Sequence, residues 1–126
     1  MLIGVDTGFL FALEELHPIA IDIWKNRKII TCSIVLYEIQ KKLLKGEFSK
    51  WTSIIKDIEK AVGIVSITSH VAKKASHISH GTGIPGLDSL ILSALLESKC
   101  TEIYTRDPHF ELYEKKGIKI INLNKL

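Results

Sequence analysis

Leu2-Ile3-Gly4-Val5-Asp6-Thr7 is a short apolar run that ends on a carboxylate. Four residues without polar alternation read as a strand buried on both faces, and Asp-Thr-Gly at 6–8 reads as the turn that ends it. Similar runs recur at Lys28–Cys32 (KIITC), Ile64–Ile67 (IVSI), Thr101–Tyr104 (TEIY) and Ile118–Leu123 (IKIINL). The stretches between them carry helical spacing. One helix covers 8–14, and His17-Pro18 breaks it and sets Pro18 at the first position of a second, which runs to about Lys25. Ser33 is placed to cap a third, in which Val35, Leu36, Ile39, Leu43 and Leu44 repeat until Gly46. A fourth spans Ser49 to Val62 with Trp51, Ile54, Ile55 and Ile58 on one face.

Thr68 caps a helix through Ser79, a glycine-rich loop covers 80–86, and an apolar helix follows at 87–98 with Leu87, Leu90, Ile91, Ala94 and Leu95 inward. Asp107 and Pro108 open a short helix that ends at Gly117. Short uniform strands alternating with helices call for parallel pairing, because each crossover helix must cover a face of the sheet. The expected class is α/β in three layers, and with no repeat or linker in the chain, one domain over 1–126.

Composition agrees. With 126 residues, 46% of them hydrophobic and 25% charged, the chain can bury one core without a metal or disulfide staple, which excludes disordered and fibrous classes. Cys32 and Cys100 stand far apart in apolar surroundings, as buried thiols of a reducing compartment do. No basic segment precedes the first apolar stretch, and no uncharged apolar stretch approaches the roughly 18 residues of a membrane span. A soluble cytoplasmic protein is expected. The net charge of +3 is carried almost entirely by lysine.

In an open parallel sheet, ligands bind outside the carboxyl ends of the strands, where strand order reverses. Asp6 directly follows the first strand, Asp107 lies just past the fourth, and Glu38 sits near the start of the helix after the second. Asp88 interrupts the apolar stretch GIPGLDSLILSALL, where a carboxylate has no packing reason to be. Singly, each acid is explained as well by capping or solvent exposure. Gathered in one place they repel one another, and a bound divalent cation relieves that repulsion. Oxygen ligands favour magnesium or manganese, ions that clamp a phosphodiester and lower the pKa of a bound water.

Strand-Asp6-Thr7, Glu38 in SIVLYEI, Asp88 in DSLILSAL, and Thr105, Asp107 and Phe110 in TRDPHF together resemble a PIN domain, in order and spacing along essentially the whole chain. The resemblance implies a metal-dependent ribonuclease, of which many small examples are VapC-type toxins of toxin–antitoxin pairs. It implies that Asp6, Glu38, Asp88 and Asp107 hold the metal, that the Thr105 hydroxyl orients Asp107 or a water, and that the chain forms a homodimer and, if the neighbouring gene encodes one, meets a cognate antitoxin. The expected sheet order is 3-2-1-4-5. One departure is Gly8, where the family more often has a polar residue such as Ser or Asn after the Asp-Thr pair.

Competing signals have simpler explanations. Residues 81–86 (GTGIPG) match a dinucleotide fingerprint, but a helix rather than a strand is expected before them. His70, His77 and His80 share one helical side without a fourth zinc ligand, and His17 and His109 adjoin prolines at helix starts. No G-x-S-x-G supports a serine nucleophile. Trp51, Tyr37 and Phe48 fit core packing better than base stacking. Two other functions compete: a PIN-like module that binds metal or RNA without cutting, which intact acids disfavour, and an aspartate-nucleophile phosphatase, which needs a second Asp where Gly8 stands.

Overall fold

The computed structural model describes residues 2–126. Strands β1 (Leu2–Val5), β2 (Lys28–Cys32), β3 (Gly63–Val65), β4 (Glu102–Thr105) and β5 (Lys119–Asn122) form one parallel sheet in the order β3-β2-β1-β4-β5. This is the expected order. Around the sheet pack α1 (Thr7–Glu14), α2 (Pro18–Asn26), α3 (Ser33–Leu44), α4 (Ile54–Ala61), α5 (Ser69–Thr82) and α6 (Gly86–Glu97), giving the α/β/α arrangement.

β1 is central and pairs with β2 (Gly4 opposite Ile30) and with β4 (Gly4 opposite Ile103), so Ile3 and Val5 are wholly buried. That explains their unbroken apolar character. Gly4 has a reason of its own: a Cβ there would meet Ile103 Cγ1 and Leu95 Cδ1 at 3.2 Å. The missing side chain lets α6 lie directly on the sheet. From β1 the chain builds outward through β2 and β3, then returns across β1 to β4 and β5. The switch of direction falls between β1 and β4, and their carboxyl ends open the crevice there.

Several expected boundaries shift. Cys32, not Ser33, occupies the cap of α3. The helix expected from Ser49 begins at Ile54, with turns before it, and Trp51 is tethered by its indole N–H to Asp57 Oδ2 at 2.7 Å. β3 is shorter and earlier than 64–67. The expected loop at 80–86 is mostly helix, because α5 continues to Thr82 and stops at Gly83 with φ of 80°. The segment after β4 is a 3-10 turn, Pro108–Leu112, rather than a helix reaching Gly117. On α6, Leu87 is 47% exposed while Leu92 is buried, and Leu44 on α3 is exposed too.

Cys32 and Cys100 are free and buried, and burial raises both thiols above their ordinary range. Among the described residues, no helix is long and apolar enough to cross a membrane.

Candidate functional site

Asp6 ends β1 and caps α1, and it is only 4% exposed. Its Oδ1 accepts the Phe9 N–H at 3.0 Å and its Oδ2 accepts the Thr105 hydroxyl at 2.5 Å. Burial is the largest influence and pushes its carboxyl up to about 6; the two hydrogen bonds pull it down, and the charges of Asp107 and Glu38 push it up. The Thr105 oxygen also accepts the Asp107 N–H at 2.9 Å. Thr105 thus bonds both Asp6 and the main chain of Asp107, the acid to which the resemblance pointed it.

Glu38 lies in α3, half-buried, and its Oε1 accepts the Thr7 hydroxyl at 2.6 Å. Thr7 is a site residue whose role the sequence reading missed, because its partner lies 31 positions away. Asp88 stands in the first turn of α6, and burial followed by the Asp107 charge pushes its carboxyl up to about 7. Asp107 caps the 3-10 turn by accepting the His109 N–H at 2.9 Å.

All four acids line one cleft of about 410 Å³ at the carboxyl edge of the sheet. Two of these acids, Asp88 and Asp107, group with His109 beside the cleft, each of the three offering a ligand atom within 4.8 Å of the others. His109 Nδ1 is 2.9 Å from Asp107 Oδ1 and 3.8 Å from Asp88 Oδ2, more than a turn residue would require. Its place two residues after Asp107 was the available signal. Lys42 and Arg106 line the same cleft, yet Lys42 is nearest Glu47 and Arg106 is bonded to Glu15.

None of Trp51, Tyr37 or Phe48 lines this cleft. Phe48 is buried and stacked on Phe11, and Trp51 meets Trp24 edge to face at 5.4 Å. The stretch GTGIPG begins in the last turn of α5 and ends at the start of α6, with no strand before it, so the dinucleotide geometry is missing. His70 pairs with Glu97 at 3.3 Å.

The family model of the PIN domain matches residues 3–116. The chain belongs to the PIN domain family. This PIN domain shares its fold with VapBC-1 from nontypeable Haemophilus influenzae, with a TM-score of 0.75 and 14% identity over 98% of this chain and 99% of that one. It also resembles VapBC2 from Rickettsia felis bound to a promoter DNA fragment, at TM-score 0.72 and 20% identity over 97% and 98% of the two chains. Mycobacterium tuberculosis VapC20, a Sarcin-Ricin loop cleaving toxin, matches at TM-score 0.67 and 18% identity over 86% and 92%. A comparison of the sequence with curated proteins found no match.

The cleft of this PIN domain has the donor chemistry of a divalent-cation site. Its acids are oxygen donors, and two of them are held above the usual carboxylate range. Both lysine and arginine at the cleft wall are engaged with acids outside it. Burial is the main cause of both raised carboxyls and the neighbouring acids add to it; a hard dication placed among these oxygens offsets both, because it favours the charged form.

Proposed function

We propose that this PIN domain is an endoribonuclease that hydrolyses RNA phosphodiester bonds with magnesium or manganese held by Asp6, Glu38, Asp88 and Asp107. The observation that carries this reading is the convergence of four carboxylates from four separate segments on one cleft at the sheet's switch point. When bound, the ion supplies neutralising charge to the scissile phosphate and lowers the pKa of a water.

The chain's own groups do the rest. The two hydrogen bonds on Asp6 fix both its oxygens, and Thr7 fixes Glu38, so these carboxylates are oriented before any ligand arrives. Asp88, from the first turn of α6, and Asp107, from the cap of the 3-10 turn after β4, come side by side with ligand atoms within 4.8 Å of each other. Setting the four cleft acids aside leaves seventeen basic residues against ten acidic ones, a surface that attracts a polyanion.

The same reading makes the protein the toxin of a cytoplasmic toxin–antitoxin pair, acting as a homodimer. Its support is the family and the fold likeness to chains from VapBC complexes. The experiment is cleavage of a labelled RNA by purified protein with magnesium, manganese or EDTA, beside Asp6→Asn. Cutting that requires the metal and Asp6 is expected; cutting that persists in EDTA or in the variant refutes the metal assignment. For the toxin role, expression should arrest growth, and a short neighbouring reading frame whose product relieves that arrest on co-expression is the expected finding.

A further inference from the structure

Arg106 stands between Thr105 and Asp107, and its side chain lines the acid cleft without an ion pair to any cleft carboxylate among the described residues. It is clasped at two points instead. Nη1 donates to Glu15 Oε2 at 2.6 Å, Nε donates to Asn124 Oδ1 at 3.0 Å, and the Arg106 carbonyl accepts from Asn124 Nδ2 at 3.3 Å. Glu15 follows α1 and Asn124 lies in the C-terminal turn, so the head group is positioned from two separate parts of the fold.

A guanidinium carries five N–H donors in a rigid fork. The clasp uses two, and the other three have no partner among the described residues. The side chain is 32% exposed, so it borders solvent as well as the cleft. A head group that only joined two elements would not need to border the acids, and one that neutralised them would touch them.

Gly8 completes the arrangement. A Cβ at that position would lie 3.0 Å from Arg106 Cβ, 3.1 Å from Arg106 N and 3.3 Å from Asp6 Oδ1. Two of these are at or beside the main chain and cannot swing away, so a side chain at 8 would crowd residue 106 and make its backbone give by a few tenths of an ångström. The missing polar side chain after Asp6-Thr7 thus leaves residue 106 uncrowded against the start of α1.

We infer that Arg106 is a substrate-binding residue that grips a backbone phosphate of the RNA strand in the cleft, and that Gly8 is glycine to admit it. The fork geometry suits two phosphate oxygens at once, which a lysine point charge does not reproduce. This inference rests on the ribonuclease reading and names how that site holds its substrate.

The test measures binding of a fluorescein-labelled single-stranded RNA from 50 to 300 mM potassium chloride, with Asp88→Asn as a common background to prevent cutting. Arg106→Ala should weaken binding about tenfold and lower the log–log salt slope by about 0.7, the value for one phosphate contact on a single strand. Arg106→Lys should recover part of the affinity and the full salt slope. Glu15→Gln should tighten binding about twofold, because it removes the anion that offsets Arg106. With Asp88 restored, Arg106→Ala should raise KM about tenfold and leave kcat within twofold.

If the parent binds RNA and the wild type cuts it, but Arg106→Ala keeps both affinity and slope, the inference is overturned and the ribonuclease reading stands. Weakening by Glu15→Gln equal to that by Arg106→Ala also overturns it, since Arg106 then only fastens α1 to the C-terminal turn. If Arg106→Ala does not fold, the lysine and glutamine variants decide by the same readouts. Failure of the wild type to bind or cut RNA overturns the ribonuclease reading and this inference with it.

Discussion

The Thr105 hydroxyl donates to Asp6 Oδ2 at 2.5 Å across 99 positions of the chain. Its oxygen accepts the Asp107 N–H at 2.9 Å, so one side chain links the acids that end β1 and follow β4. Thr105→Val keeps the shape and leaves a buried carboxylate oxygen and an amide without their partner. The expected loss is about 1–3 kcal/mol of stability by urea denaturation. Cleavage should fall roughly 10–100-fold, as for supports of metal ligands, and Thr105→Ser should recover most of both.

Asp6 titrates near 6 in the folded protein against an ordinary 3.8, so the native state holds more protons than the unfolded chain between those values. Without metal, stability should therefore fall as pH rises from about 4 to about 7. At 1.36 kcal/mol per pH unit, Asp6 accounts for at most about 3 kcal/mol. Asp88, raised to about 7, acts in the same direction and extends the window upward. The lowered carboxyls of Asp57 and Glu111 favour the folded state above their ordinary values and weaken it only in more acid solution. Urea titrations in EDTA from pH 4.5 to 7.5 should show the decline. Excess manganese should reverse it, since a metal requires deprotonated ligands.

Asp88→Asn removes a charge that the folded protein holds at a disadvantage. The metal-free variant should be more stable than wild type at pH 7.5, by about 1 kcal/mol. The rise in Tm on adding magnesium or manganese should disappear, and cleavage should fall at least about 100-fold. Loss of stability in EDTA would mean that Asp88 is a structural acid.

The ends of the cut RNA report the mechanism. Water attack with departure of the 3′ oxygen leaves a 5′-phosphate and a 3′-hydroxyl. Attack by the internal 2′-hydroxyl leaves a 2′,3′-cyclic phosphate and relies on an acid–base pair, for which the group of Asp88, Asp107 and His109 offers one histidine. Mass spectrometry should show 5′-phosphate ends, with cutting retained at a 2′-deoxy nucleotide. Cyclic ends made by wild type and not by Asp6→Asn would refute the proposed chemistry.

What the residue order determined by itself was the alternation of strands and helices, the parallel sheet, and the acids that follow strand ends. Those features rest on hydrophobic spacing within one element and on the need to bury both sheet faces. Boundaries were harder where local signals compete: Ser33 looked like a cap, yet the turn geometry places Cys32 there. Asp6 and Asp107 could be placed in one crevice because each follows a strand, but nothing local says which oxygen meets which donor.

The tertiary structure alone decided that Thr105 serves Asp6, that Thr7 holds Glu38, and that His109 reaches both Asp88 and Asp107. It also placed Arg106 beside Gly8 and gave it Glu15, 91 positions away, as a partner. The physical reason is range. Burial pattern is repeated every two to four residues and survives in the sequence, whereas a hydrogen bond between distant segments exists only after sheet order and helix packing bring its two atoms within about 3 Å.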